Sequence, residues 1–288
     1  MANFKRQMAG GTSVGGGPLR PHGNRASTAA AAAYWGGGGL TFSVATGGTE
    51  TLYTENGLNY KSHILTTGGS AFTVVSQGTE PLFDILVVGG GGAGGGTALG
   101  RGYGDGGGGA GGFATTTMAL PTGTYQATIG AAGQPSGGAG GQSSFGTGTS
   151  LITANGGSGG SGCEFCTGAG GAGGSASVGG ALGTSNVTTT GFSGRGGCGG
   201  NGQTGPTNTY KNGTSLYYAS TSGASCACQG TYPGGTGAWN GSDGSCNVPC
   251  AARNGTAANG SGGPGGTSNC GTGIAGEAGY IVVRYRVA

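Results

Sequence analysis

The chain has 288 residues, 80 of them glycine, with 7% charged and 7% aromatic side chains and a formal net charge of +3. An ordinary domain carries about 7% glycine and about 25% charge, which excludes a typical globular enzyme, and the few scattered cations exclude a basic stripe that would track nucleic acid. Only 9 prolines accompany the glycine, which excludes collagen, and no apolar run approaches the roughly 18 residues of a membrane-spanning helix.

Residues 1–40 open with MANFKRQMAGG. Basic residues stand there without an apolar stretch behind them, so no secretory signal is expected and synthesis in a cytoplasm is. The segment has no core of its own. Its Lys5, Arg6, Arg20 and Arg25, with Tyr34 and Trp35, are candidate anchors to another protein, and the alternative is an unstructured tail.

Residues 41–154 carry strand signals: LTFSVAT, ETLYT, LNYKSHILTT, AFTVVSQ, FDILVVG, GFATTTMAL, TYQATIG and SLITANG, separated by Gly, Asn and Pro turns. Several alternate with period two, as at Leu58 and Tyr60 and from Ala71 to Val75, and so predict half-buried antiparallel strands. The junction FDILVVGGGGAGGG places Gly89, Gly91 and Gly94 in the GxGxxG spacing of a dinucleotide site. Such a site needs a helix to open at the third glycine, because helix N–H groups hold the pyrophosphate. TALGRGYGDGGGGAGGF follows instead, and glycine costs a helix interior about 1 kcal/mol against alanine. No cofactor is expected.

Residues 155–279 are rich in glycine and cysteine. Two glycines in three recur in GGAGGQ from Gly137, GGSGGS from Gly156, GGAGGS from Gly170, GGCGGN from Gly196 and GGPGGT from Gly262. A threefold backbone helix without internal hydrogen bonds would turn two bare faces and one side chain outward, so that neighbouring backbones could pair. Packed polyglycine II helices are the expectation, and flexible linker is the alternative.

All eight cysteines, Cys163, Cys166, Cys198, Cys226, Cys228, Cys246, Cys250 and Cys270, fall in this block. Disulfides of unknown pairing, a zinc thiolate site and free thiols all remain open. The stretch from Tyr210 to Ser245 breaks the glycine period and gathers Tyr210, Tyr217, Tyr218, Tyr232 and Trp239. These are candidate contacts with a receptor, as aromatics on loops often are; the other reading is a small core over the ends of the glycine helices.

The closing GYIVVRYRVA is a strand that must pair with the earlier sheet. The glycine block is therefore an insertion that leaves the β core and returns to it. The expected fold is mainly β: an antiparallel sandwich-like core of residues 41–154 closed by 280–288, a crown of polyglycine II helices over 155–279, and no substantial α-helix.

The order ATGGTETLYTENGLNYKSHILTTGGSAFTVV, then FDILVVGGGGAGGG, the hairpin around LPTGTYQATIGAAG, SSFG, LITANGGSGGSG and GYIVVRYR resembles the glycine-rich domain of tailed-phage and other viral structural proteins, tail and fibre components above all. It is more distantly similar to tail-fibre adhesins in which glycine helices form a sandwich. The resemblance implies a virion protein that acts in host attachment, oligomeric in the particle, anchored to other virion proteins through residues 1–40 and facing a host surface protein or glycan. A capsid-decorating or purely structural virion protein is the alternative, and an ice-binding protein is a third.

Catalytic chemistry is thinly represented. His22 lies in the arm, and His63 reads as a half-buried packing residue in a strand, with no second group to orient it as a base. The acidic residues read as isolated, with Asp105 and Asp243 in turns and Glu80 and Asp84 near strand ends.

Overall fold

Alternating apolar side chains in the first half of the chain, and an apolar run in its last ten residues, do build strands. The computed structural model describes residues 39–96, 106–148, 151–161, 171–178, 185–188, 203–221 and 275–288. The chain divides into two units, Met1–Thr41 and Phe42–Ala288, and every element below belongs to the second. The candidate anchors Lys5, Arg6, Arg20, Arg25, Tyr34 and Trp35 lie outside the described residues.

The strands are β1 (Val44–Thr46), β2 (Thr49–Glu55), β3 (Leu58–Leu65), β4 (Ser70–Ser76), β5 (Leu82–Val88), β6 (Phe113–Ala119), β7 (Gly123–Thr128), β8 (Ser143–Phe145), β9 (Ile152–Ala154), β10 (Ala176–Val178), β11 (Ser185–Thr188), β12 (Thr207–Asn208), β13 (Leu216–Tyr217) and β14 (Tyr280–Arg286). Two six-stranded sheets run β1-β4-β7-β8-β9-β10 and β11-β6-β5-β14-β3-β2, and β12 pairs with β13 alone. The fold is mainly β with antiparallel sheets and, among the described residues, no α-helix. The short strands β8 and β10 to β13 were not expected, because two to four residues are too few to establish a period.

The two sheets face each other over Phe72, Phe83, Phe145, Ile85, Ile281 and Tyr285. A second apolar cluster, with Leu86, Val88, Phe113, Tyr280 and Val282, covers the opposite face of the sheet that holds β14. β14 sits between β5 and β3 and is buried on both sides, which is why Tyr280 to Val283 read as an unbroken apolar run.

The glycines continue the strands. Val88 faces Phe113 at the end of the β5–β6 ladder, and beyond it Gly89, Gly92 and Gly95 donate to the carbonyls of Gly112, Gly109 and Gly106 at 2.9 Å each. The register is kept, but bonds now come every third residue. The residues between bond elsewhere: Gly90 and Ala93 donate to Gly141 and Gly138, and Gly91 to Glu277. One segment thus donates in three directions, as a threefold helix without internal hydrogen bonds must. The same step of three links Gly106, Gly109 and Gly112 to Ser161, Ser158 and Asn155, and Gly157 and Gly160 to Gly90 and Ala93. A step of three is the spacing that a polyglycine II helix would give.

Close approach is why the segments need glycine. A Cβ on Gly92 would stand 2.1 Å from the Ser158 carbonyl oxygen, and one on Gly157 2.1 Å from that of Gly109. Alanine and serine occur where the third face has room, as at Ala93 and Ser158. One boundary needs correcting: the lattice is not confined to 155–279, because residues 89–95, 106–112 and 130–141 belong to it and prolong strands of the β core. Most of 155–279, all eight cysteines included, lies outside the described residues.

Gly157→Val is expected to force backbones apart and to abolish soluble, folded protein. Gly68→Ala, at a glycine with no atom within 4 Å of the added Cβ, should melt like the wild type; equal thermal stability of both variants would overturn the lattice.

Candidate functional site

On the outer face of the β14 sheet, residues 203–221 fold down as a cover. Their ends are tied together by Tyr218 N–H to Pro206 O and Thr221 N–H to Gln203 O, both 2.9 Å. Gly205 is obligatory there, since its Cβ would lie 1.8 Å from the Tyr218 carbonyl oxygen. Alternation in the cover separates two neighbours. Tyr218 is 2% exposed and packs against Phe113 and Tyr280, with ring centroids 6.2 and 6.0 Å away, while Tyr217 is 40% exposed. Burial, with a smaller contribution from Tyr53, pushes the Tyr218 phenol up to about 12.

Arg284 pins the other end of the cover. Its Nε donates to Asp84 Oδ2 at 2.9 Å and one terminal nitrogen to Tyr53 Oη at 3.0 Å; the same nitrogen also bonds Glu55. The guanidinium lies between two rings, 4.4 Å from the centroid of Tyr60 and 4.1 Å from that of Tyr210, an arrangement suited to a planar cation. Tyr53 Oη in turn donates to the Tyr210 carbonyl at 2.9 Å, and Ser62 Oγ to that of Lys211 at 2.7 Å. Burial alone would raise the Glu55 carboxyl, but hydrogen bonds from Thr209 and Arg284 and the charge of Arg284 hold it below its ordinary value. Burial and the nearby charge of Asp84 push the Tyr210 phenol up to about 12.

The five candidate contact aromatics therefore separate. Tyr217 stands at the surface, Tyr210 is half-buried on Arg284, and Tyr218 is buried against Phe113 and Tyr280 of the sheet. Tyr232 and Trp239 lie outside the described residues.

His63 is fully buried rather than half-buried. Its Nδ1 donates to the Gly47 carbonyl at 2.7 Å, and its ring stacks on Tyr285. Burial holds its pKa below the ordinary value against the opposing hydrogen bond to Gly47 and the charge of Glu50. Asp84 and Glu80, read as isolated, are both ion-paired, Asp84 with Arg284 and Glu80 with Arg286 at 3.1 Å.

Arg284, Asp84, Tyr53 and Tyr60 were missed as a group. A signal existed, since Arg284 and Asp84 each interrupt an otherwise apolar strand, but only the pairing of β14 with β5 brings Arg284 opposite Asp84. Among the described residues no group of three or more His, Cys, Asp or Glu could hold a metal ion, and no helix is long and apolar enough to cross a membrane.

Residues 65–286 match a family model described as a glycine-rich domain. No curated protein matches the chain.

Arg284→Met would leave the half-buried Asp84 and Glu55 without their cation and is expected to cost about 1.5–3 kcal/mol, the range for hydrogen bonds to charged groups. Arg284→Lys keeps the charge but loses the fork and the stacking, so urea unfolding should place it between Met and wild type. Limited proteolysis should then cut within 203–221 in the Met variant; an uncut cover of unchanged stability would show that Arg284 does not hold it.

Proposed function

The chain belongs to this glycine-rich domain family, and from that premise we propose that it is a non-enzymatic structural protein of a tailed-phage virion, a tail or tail-fibre component that contributes to host-surface attachment. The observation that carries the reading is the glycine lattice, which continues the strands into a block of paired backbones. Such a block offers almost no side-chain chemistry and a great deal of fixed geometry, which suits a platform. Recognition then falls to the segment from Tyr210 to Ser245, where Tyr217 presents its ring beside a cover that Arg284 ties down. Residues 1–40 anchor the chain to other virion proteins, and the contact at the host is a surface protein or glycan.

Contact aromatics are often hot spots worth about 2 kcal/mol, roughly thirtyfold each. Tyr217→Ala combined with Trp239→Ala should therefore reduce adsorption of otherwise normal particles to host cells at least about tenfold, while melting temperature and particle content stay unchanged. Tyr218→Ala should lower stability instead. Stable particles that adsorb at the wild-type rate would favour a capsid-decorating or purely structural role.

One observation favours ice binding as a second reading. On the outer face of the other sheet, Thr128, Ser144, Thr153 and Ser177 stand opposite one another on β7, β8, β9 and β10, and Thr73 stands opposite Thr124 on β4 and β7. This gives a row of hydroxyls repeating at the strand spacing of about 4.8 Å. A thermal-hysteresis measurement on purified protein decides: the virion reading expects none, and activity that Thr153→Lys removes would replace it.

A further inference from the structure

Among the described residues the two sheets have four edges, and they differ in kind. β1 and β10 are three residues long and β11 four, whereas β2 runs for seven, Thr49–Glu55. Proteins usually blunt an edge with short strands, proline, lysine or a bulge. The sequence TETLYTE has no proline or lysine, and its pairing with β3 is regular throughout. Leu52, at its centre, is 68% exposed.

The hairpin fixes which backbone groups face outward. Asn56 and Gly57 take φ of 51° and 78°, the two-residue turn with both central residues left-handed, so the flanking pair Glu55 and Leu58 is hydrogen-bonded. Bonded and open positions then alternate. Thr51, Tyr53 and Glu55 turn their N–H and C=O groups toward β3, and Glu50, Leu52 and Thr54 turn theirs away from it, with Gly213 of the cover near the Thr54 carbonyl at one end.

We propose that β2 is a self-association edge, pairing antiparallel with β2 of a second copy about a two-fold axis at Leu52 and joining two six-stranded sheets into one. The strand is self-complementary in this register. Leu52 meets Leu52, Glu50 meets Thr54, and Thr51 meets Tyr53, so that no like charges stand opposite one another. All three outward-facing residues of each copy find a bonded partner. A shift by two residues either way leaves one of them unpaired and takes Leu52 away from its twin. The charge of Glu50 is already met by Lys61 Nζ at 2.9 Å. A groove of about 370 Å³ lined by Leu52, Tyr53, Thr54, Asn59, Tyr60, Val287 and Ala288 borders the strand and leaves room for the partner's side chains. The inference does not depend on the attachment reading, because it concerns the purified chain.

Sedimentation equilibrium of the purified full chain at about 100 μM, a concentration suited to an interface smaller than the standard size, should show a dimer. Leu52→Asp sets two carboxylates against each other at the axis and should weaken the dimer at least about tenfold with the melting temperature unchanged. Leu52→Cys should give an intermolecular disulfide between the two introduced thiols, identified by peptide mapping, since bonded antiparallel partners stand about 5.5 Å apart, within disulfide reach. A wild-type monomer at that concentration, or a dimer that Leu52→Asp leaves intact, would overturn the proposal.

Discussion

Every buried N–H and C=O needs a partner, and in this chain that demand falls on segments with almost no side chains to help. Glycine makes the backbone costly to order, so the glycine segments stay in place through the density of bonds between them. The strands provide the alignment. Because β5 and β6 deliver Gly89 and Gly112 already paired, the threefold segments begin in register, and each later bond is positioned by the one before it. Sandwich and lattice are thus one hydrogen-bonded system that changes period from two to three at the glycine junctions. Ser143 shows how tightly the joint is made, its Oγ accepting from Gly130 N–H at 2.9 Å in the buried interior.

The outer face of the β14 sheet faces the opposite problem, an excess of side chains that must be kept from water. Residues 203–221 cover it in two chemically distinct halves. Tyr218 closes the apolar half over Phe113 and Tyr280. Arg284 closes the polar half, where one guanidinium meets Asp84, Glu55, Tyr53 and two aromatic faces. Burial alone would lower the pKa of this guanidinium, yet its partners raise it, Tyr53 foremost, so the cation is held charged at the centre of the cover.

These two devices bear on function in different ways. The described glycine segments are tied to one another by backbone hydrogen bonds and carry mostly small side chains. The cover holds an irregular loop against the β14 sheet with the Tyr217 ring exposed beside its anchored neighbour. A receptor-contact role needs both, since an aromatic contact on a fixed base loses less entropy on binding than one on a free loop. The proposed β2 edge would add valency, and paired copies gain avidity without any new contact to the receptor.

Much of this was legible in the residues. Period two in AFTVVSQ and the apolar run of GYIVVRYR gave strands, and the return of a strand at the end of the chain required it to join the earlier sheet. The neighbours Tyr217 and Tyr218 could not be told apart, because burial of one and exposure of the other depends on which face of the cover meets the sheet. The partners of the glycine segments were also hidden. GGAGGQ from Gly137 already showed the two-in-three glycine pattern, but which backbone each segment bonds was not readable, since a hydrogen bond to a chain dozens of residues away leaves no local trace. Asp84 looked like an isolated charge, because its partner Arg284 is far away in sequence. Composition and period determine what a segment is able to pair with, whereas the choice of partner rests on contacts distant in sequence, and only the tertiary structure made that choice.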